Sequence, residues 1–211
     1  MVEFNIYPEK TCLIIVDMLN AFLKPDSRLE VSGGRELIPR LKRLLGVCRD
    51  KRICIIFVKM AFRRDRSDMG LHAIFRPEMA TEDILVEGTE DAEFYEQIRP
   101  ENGDIIITKS RFSAFVGTDL DLVLRSKGID TIIIGGVATN ICCQCTAQEA
   151  RMKDYKVIFL SDGNASMTFP DMGWGKISAE EIQRVVMTTM AFGFAQVLPV
   201  EEVISRLSTK P

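Results

Sequence analysis

The chain has 211 residues, 46% hydrophobic and 27% charged, with six cysteines and a net charge of −3. A chain of that size can bury roughly 70% of its unfolded surface in one domain, so residues 1–211 are expected to form a single domain. The charge balance offers no basic field for nucleic acid or membrane surface, no apolar run nears the roughly 18 residues that span a bilayer, and irregularly spaced cysteines without a signal core read as reduced, cytoplasmic thiols.

Taken in chain order, the first buried apolar run is Cys12–Val16, and it ends on Asp17. A carboxyl group directly after such a strand is partly desolvated, which raises its pKa and suits it to accept and return a proton. A turn aspartate or helix N-cap is the competing reading. Arg35–Asp50 reads as a helix and Ile53–Val58 as the second strand. Met60–Asp83 fits no regular element; it holds Arg63, Arg64, Arg66 and Arg76 and the only histidine, His72. Arginines there can grip a substrate carboxylate bidentately, but a solvated loop or an interface salt bridge is the favoured reading. Asp104–Thr108 is the third strand and leads into Lys109, whose ammonium can neutralise a nearby carboxylate. Most lysines, however, are solvated surface groups.

Asp119–Ser126 is the next helix, followed by the strand Thr131–Ile134 and a break at Gly135 and Gly136. The turn Val137-Ala138-Thr139-Asn140 then opens a helix, Cys142–Lys153. A cysteine in a first helical turn meets unpaired N–H groups and the positive end of the macrodipole, so its thiol pKa is expected to fall. The same N–H groups can hold a developing oxyanion. The opposing reading makes Cys142, Cys143 and Cys145 small packing residues of a core helix. A fifth strand, Val157–Leu160, precedes an irregular stretch, Ser161–Lys176. Helix Ala179–Phe192, with Ser178 and Glu181 as a capping box, leads to a weaker strand, Gln196–Leu198.

Continuous β-branched runs alternating with amphipathic segments predict an α/β fold, a parallel sheet with helices on both faces. Asp17, Lys109 and Cys142 each lie just beyond the carboxyl end of a strand, so all three can converge on one cleft. With one histidine available, a Cys–carboxylate pair is the better option than Cys–His. A nucleotide-binding Rossmann domain would want a glycine-rich turn after the first strand, and Met18-Leu19-Asn20-Ala21-Phe22 has none. A metal or redox cluster on the three nearby cysteines lacks a second ligand pair.

D-M-L-N-A-F at 17–22, K-S-R-F-S-A-F at 109–115 and G-V-A-T-N-I-C at 136–142 resemble, in order, three motifs of the isochorismatase-like cysteine hydrolases. E-G-T at 87–89 and G-T-D-L at 117–120 extend the resemblance over nearly the whole chain. It implies a three-layer Rossmann-like fold with a six-stranded, mostly parallel sheet in the order 3-2-1-4-5-6. In that order Lys109 has to reach in from the far side of strand one. The resemblance also implies a catalytic triad of Asp17, Lys109 and Cys142, a cis peptide at Val137–Ala138, and an oxyanion hole from the Ala138 and Cys142 N–H groups. The implied reaction is hydrolysis of a small amide, carbamoyl or ureido compound through a thioester, without cofactor, in a homodimer or homotetramer. Cys142 argues against vinyl-ether cleavage. The segment Val58–Arg63 lacks the Asp-x-His metal site of nicotinamidase-like members, so no metal is expected. The Thr-Asn-Ile-Cys-Cys turn looks closer to ureidoacrylate, carbamoylsarcosine and biuret hydrolases, although Cys143–Ala150 departs from the usual segment there. A nicotinamidase-type amidase and a catalytically silent binding subunit are the alternatives. Asn20, Phe22, Arg111, Phe115, Thr139 and Trp174 are the candidate pocket residues.

Overall fold

Six strands of a computed structural model, which describes residues 2–208, form one all-parallel sheet in the order β3-β2-β1-β4-β5-β6. They are β1 (Thr11–Val16), β2 (Cys54–Met60), β3 (Ile105–Lys109), β4 (Thr131–Val137), β5 (Lys156–Ala165) and β6 (Gln196–Leu198). Every residue of β1 and β4 is buried, as continuous apolar runs in mid-sheet require, whereas edge strand β3 alternates between buried and exposed positions.

Alternate residues of each strand feed two separate cores. Leu13 and Ile15 pack with Leu41 and Leu44 of α2 (Ile38–Asp50) and Val203 of the C-terminal helix. Cys12, Ile14 and Val16 pack on the other face with Leu124, Ala147 and Val186. The helices there are α5 (Leu120–Ser126), α6 (Gln144–Met152) and α7 (Ala179–Gly193). The capping box anticipated at Ser178 and Glu181 starts α7. Four helical pieces were not legible as helix: α1 (Asn20–Leu23), α3 (His72–Phe75), α4 (Pro77–Thr81) and α8 (Val200–Ser208). The first three are single turns, too short for a 3.6-residue apolar period to repeat. No helix among the described residues is long and apolar enough to cross a membrane.

Several boundaries differ from the sequence reading: β2 runs on to Met60, β3 takes in Lys109, and α2 starts at Ile38. β5 runs on through Ser161–Ala165, the start of the stretch expected to be irregular. The Gly135–Gly136 pair does not break β4; both glycines lie inside it. Gly136 has φ +129°, and a Cβ built there would meet the Val16 carbonyl oxygen at 2.1 Å. The glycine is a close backbone approach between β4 and β1, at a register shift against β5 between Ile134 and Gly136.

The chain fills the β2–β3 side of β1 first and then returns to β4. The crevice beyond the carboxyl ends of β1 and β4 is therefore the switch point where open parallel sheets place ligands. Gly136→Ala should destabilise the fold by about 2–5 kcal/mol, because overpacking and an L side chain at positive φ add. A denaturant melt within 0.5 kcal/mol of wild type (about the scatter of a harmless surface change) would refute the close-approach account.

Candidate active site

Asp17 follows β1 directly, and its backbone turns there at φ +51°. Its N–H donates to the Val58 carbonyl at 2.9 Å, and its own carbonyl accepts from Leu19 at 2.7 Å. Non-glycine residues in this region cost conformational energy and persist where the surroundings fix them. Lys109 is the last residue of β3, in register with Met60 of β2. Its side chain crosses the end of β2 to reach β1. There the ammonium lies 2.9 Å from Asp17 Oδ2, with both side chains wholly excluded from solvent. It also donates to Cys142 Sγ at 3.2 Å and to the Arg111 carbonyl at 3.1 Å. One ammonium thus joins a carboxylate and a thiol that arrive on different strands.

Cys142 does not stand in the first turn of α6. It lies in a preceding π-helical turn, Thr139–Cys143, that joins β4 to α6. The Val137–Ala138 peptide before that turn is cis, and the Ala138 carbonyl accepts from the Ile141 and Cys143 N–H groups at 3.1 and 3.2 Å. The expected acidification of the thiol is overturned. Burial pushes the Cys142 thiol up, and the Asp17 carboxylate adds to that, while the Lys109 ammonium opposes it without prevailing. Burial also works against charge on Lys109, yet Asp17 and then Cys142 outweigh it, and the ammonium is held well above its ordinary range. The resting site is a thiol beside a buried ion pair. Cys143 sits deeper in the helix-side core, and Cys145 is only half-buried. Among the described residues no cluster of His, Cys, Asp or Glu is arranged to hold a metal.

A narrow cleft of about 100 Å³ opens at Cys142 and is lined there by Ala138 and Ile141. Phe22, Met60, Met79, Leu85, Phe112 and Met167 supply apolar walls, and His72 and Arg76 reach it from the 60–83 segment. A more open hollow of about 540 Å³ lies beside α7, lined by Arg40, Asp162 and Gln183 among others, but it holds no cysteine.

Of the six candidate pocket residues, only Phe22 lines this cleft. Thr139 is buried at the start of the π turn, its hydroxyl without a partner. Asn20 instead donates to the Glu90 carbonyl at 2.9 Å, tying α1 to the distant turn Glu90–Ala92. Arg111 donates to the Asp68 and Ser110 carbonyls at 2.7 and 2.6 Å, so it pins the 60–83 segment. Phe115 stacks on Tyr155 at 6.0 Å in the core on the α6 side. Trp174 is 92% exposed. Phe115 and Trp174 failed because aromatic character alone does not tell pocket from core or from exposed surface. His72 and Arg76 were visible only as members of a loop at the right sheet edge. His72 stands edge-on to Phe62 and Phe112, and burial, then Arg111 and Lys109, hold its pKa down.

The isochorismatase domain model matches residues 11–202. A solved structure of a cysteine hydrolase from Pseudomonas syringae pv. phaseolicola 1448A is similar at 37% identity and TM-score 0.95, over 98% of this chain and 96% of that one. The uncharacterized isochorismatase family protein YwoC of Bacillus subtilis is 33% identical, over 88% of this chain and 99% of its own. The ureidoacrylate amidohydrolase RutB of Agrobacterium fabrum is 28% identical, over 74% and 75%.

Removing one partner of a buried ion pair strands the other, so Lys109→Met should cost about 3–5 kcal/mol in a denaturant melt. Adding Asp17→Asn should recover part of it; a double variant less stable than the single would contradict the pairing. Ultraviolet thiolate absorbance, wild type minus Cys142→Ser, should be absent at about pH 7 and grow only above about pH 9. A full signal at about pH 6 would restore the acidified-thiol account.

Proposed function

The chain belongs to the isochorismatase family of hydrolases, and from that premise we propose that it cleaves a C–N bond in a small amide, carbamoyl or ureido compound through a thioester on Cys142. The observation that carries the reading is the single ammonium of Lys109 held against both Asp17 and Cys142. Kinship with ureidoacrylate amidohydrolases supports the C–N bond as the target.

With substrate bound, Asp17 takes the Sγ proton of Cys142 as sulfur attacks the carbonyl carbon. The raised thiol makes this a concerted general-base step instead of attack by a standing thiolate. The Ala138 and Cys142 N–H groups receive the oxyanion of the tetrahedral intermediate. Asp17 passes the proton to the departing nitrogen, the C–N bond breaks, and ammonia or an amine leaves an acyl-Cys142. Asp17 then deprotonates a water that attacks the thioester, and the released sulfur recovers the proton. Lys109 keeps a positive charge beside both groups throughout, which lowers the cost of each anionic stage.

Two other readings are weaker. A nicotinamidase-type amidase calls for a metal site that Val58–Arg63 does not supply. A silent binding subunit leaves a wholly desolvated ion pair beside a cysteine with no task. Cys142→Ala and Cys142→Ser should cut ammonia release from a panel of small amides and ureides by at least about 10³-fold while circular dichroism stays unchanged. Loss of turnover in Cys143→Ala with retention in Cys142→Ala would move the nucleophile by one residue and contradict the proposal.

A further inference from the structure

The amidohydrolase reading leaves the rest of the substrate open, and the cleft walls bear on it. Above Cys142 the lining is almost entirely apolar: Met60, Met79, Leu85 and Met167, with the rings of Phe22 and Phe112. A compact polar ureide would leave those walls facing water. An extended hydrocarbon body would cover them, and each methylene transferred from water favours binding about fourfold.

Arg76 is the only formally charged side chain on that lining. Arg63 does not line the cleft, and three other arginines nearby are occupied. Arg64 donates to the Glu87 carbonyl, Arg66 to the Glu82 carbonyl and to Asp83 Oδ1, and Arg111 to two carbonyls. Arg76 has a single ionic contact, Glu78 Oε1 at 3.6 Å, beyond hydrogen-bond range. No carboxylate lines the cleft to compete for it. A guanidinium with unspent donors on an otherwise apolar lining matches a carboxylate in charge and donor arrangement. His72, fixed between Phe62 and Phe112, adds a polar edge nearby.

Resting on the amidohydrolase reading, we propose that the substrate is a carboxamide or ureide with an extended apolar body ending in a carboxylate, and that Arg76 is the residue that reads that carboxylate. In this arrangement the scissile carbonyl lies at Cys142, the hydrocarbon runs along the methionines, and the anion emerges where Arg76 is half-exposed.

The test measures kcat/KM for succinamate, glutaramate and adipamate, with hexanamide as the uncharged counterpart of adipamate. Values should rise through the series by up to about fourfold per methylene. Adipamate should exceed hexanamide by about threefold to fivefold, the scale of a partly exposed ion pair. Arg76→Gln should bring the adipamate-to-hexanamide ratio to about one, and Arg76→Lys should restore part of it. A series that is flat or falls with length, or hexanamide equal to adipamate in the wild type, overturns the proposal. Calorimetric binding of adipamate and hexanamide to Cys142→Ser gives the same comparison without turnover. Selective binding of adipamate with no ammonia released from any amide or ureide would uphold the cleft assignment and sink the amidohydrolase reading instead.

Discussion

An ammonium with no solvent contact has to be paid for by its neighbours, and Lys109 has three: the Asp17 carboxylate, the Cys142 sulfur and the Arg111 carbonyl. Desolvation of each ion costs several kcal/mol, so neither charge is tolerable without the other. The arrangement fixes where β1, β3 and the π turn end relative to one another. A shift of β1 or β3 would strand a charge in a low-dielectric interior, and a shift of the π turn would cost the ammonium its contact with sulfur. The proposed chemistry and the local stability therefore rest on the same contact.

The sheet topology makes that contact possible. In a parallel sheet all carboxyl ends lie on one edge, and the order places β1 and β4 side by side at the switch point. Asp17 and Cys142 come from those neighbours. Lys109 comes from the outermost strand on the β2 side and needs the length of a lysine side chain to cross β2. Gly136 lets β4 approach β1 at the level of Val16, one residue before the carboxylate. The Ser166 hydroxyl donates to Asn140 Oδ1 at 2.6 Å and ties the π turn to the end of β5.

Much of this was legible in the residues. The apolar runs ending at Val16, Thr108 and Ile134 mark strands, and the polar or nucleophilic residues just beyond them mark the site. Strand order came from the motif resemblance, since periodicity says nothing about which strands are neighbours. The direction of the Cys142 shift was misread because a helix-end argument considers only local backbone. Desolvation depends on what packs over the sulfur, and Asp17 is 125 residues away in sequence. The cleft walls were unreadable for a related reason. His72 and Met79 sit on single helical turns and Arg76 on the residue between them, where no period announces which side chain faces inward. Phe115 and Trp174 look like pocket aromatics in one dimension, yet one is core and the other lies in solvent.

The account turns on a covalent bond to one sulfur. Acid-quenching the enzyme during turnover of a slow amide, followed by peptide mapping in a mass spectrometer, reads that bond directly. The account predicts an acyl adduct on the peptide carrying Cys142, attached at that residue. An adduct on any other side chain, or turnover with no adduct at any quench time and with water oxygen entering the product in a single step, would contradict it.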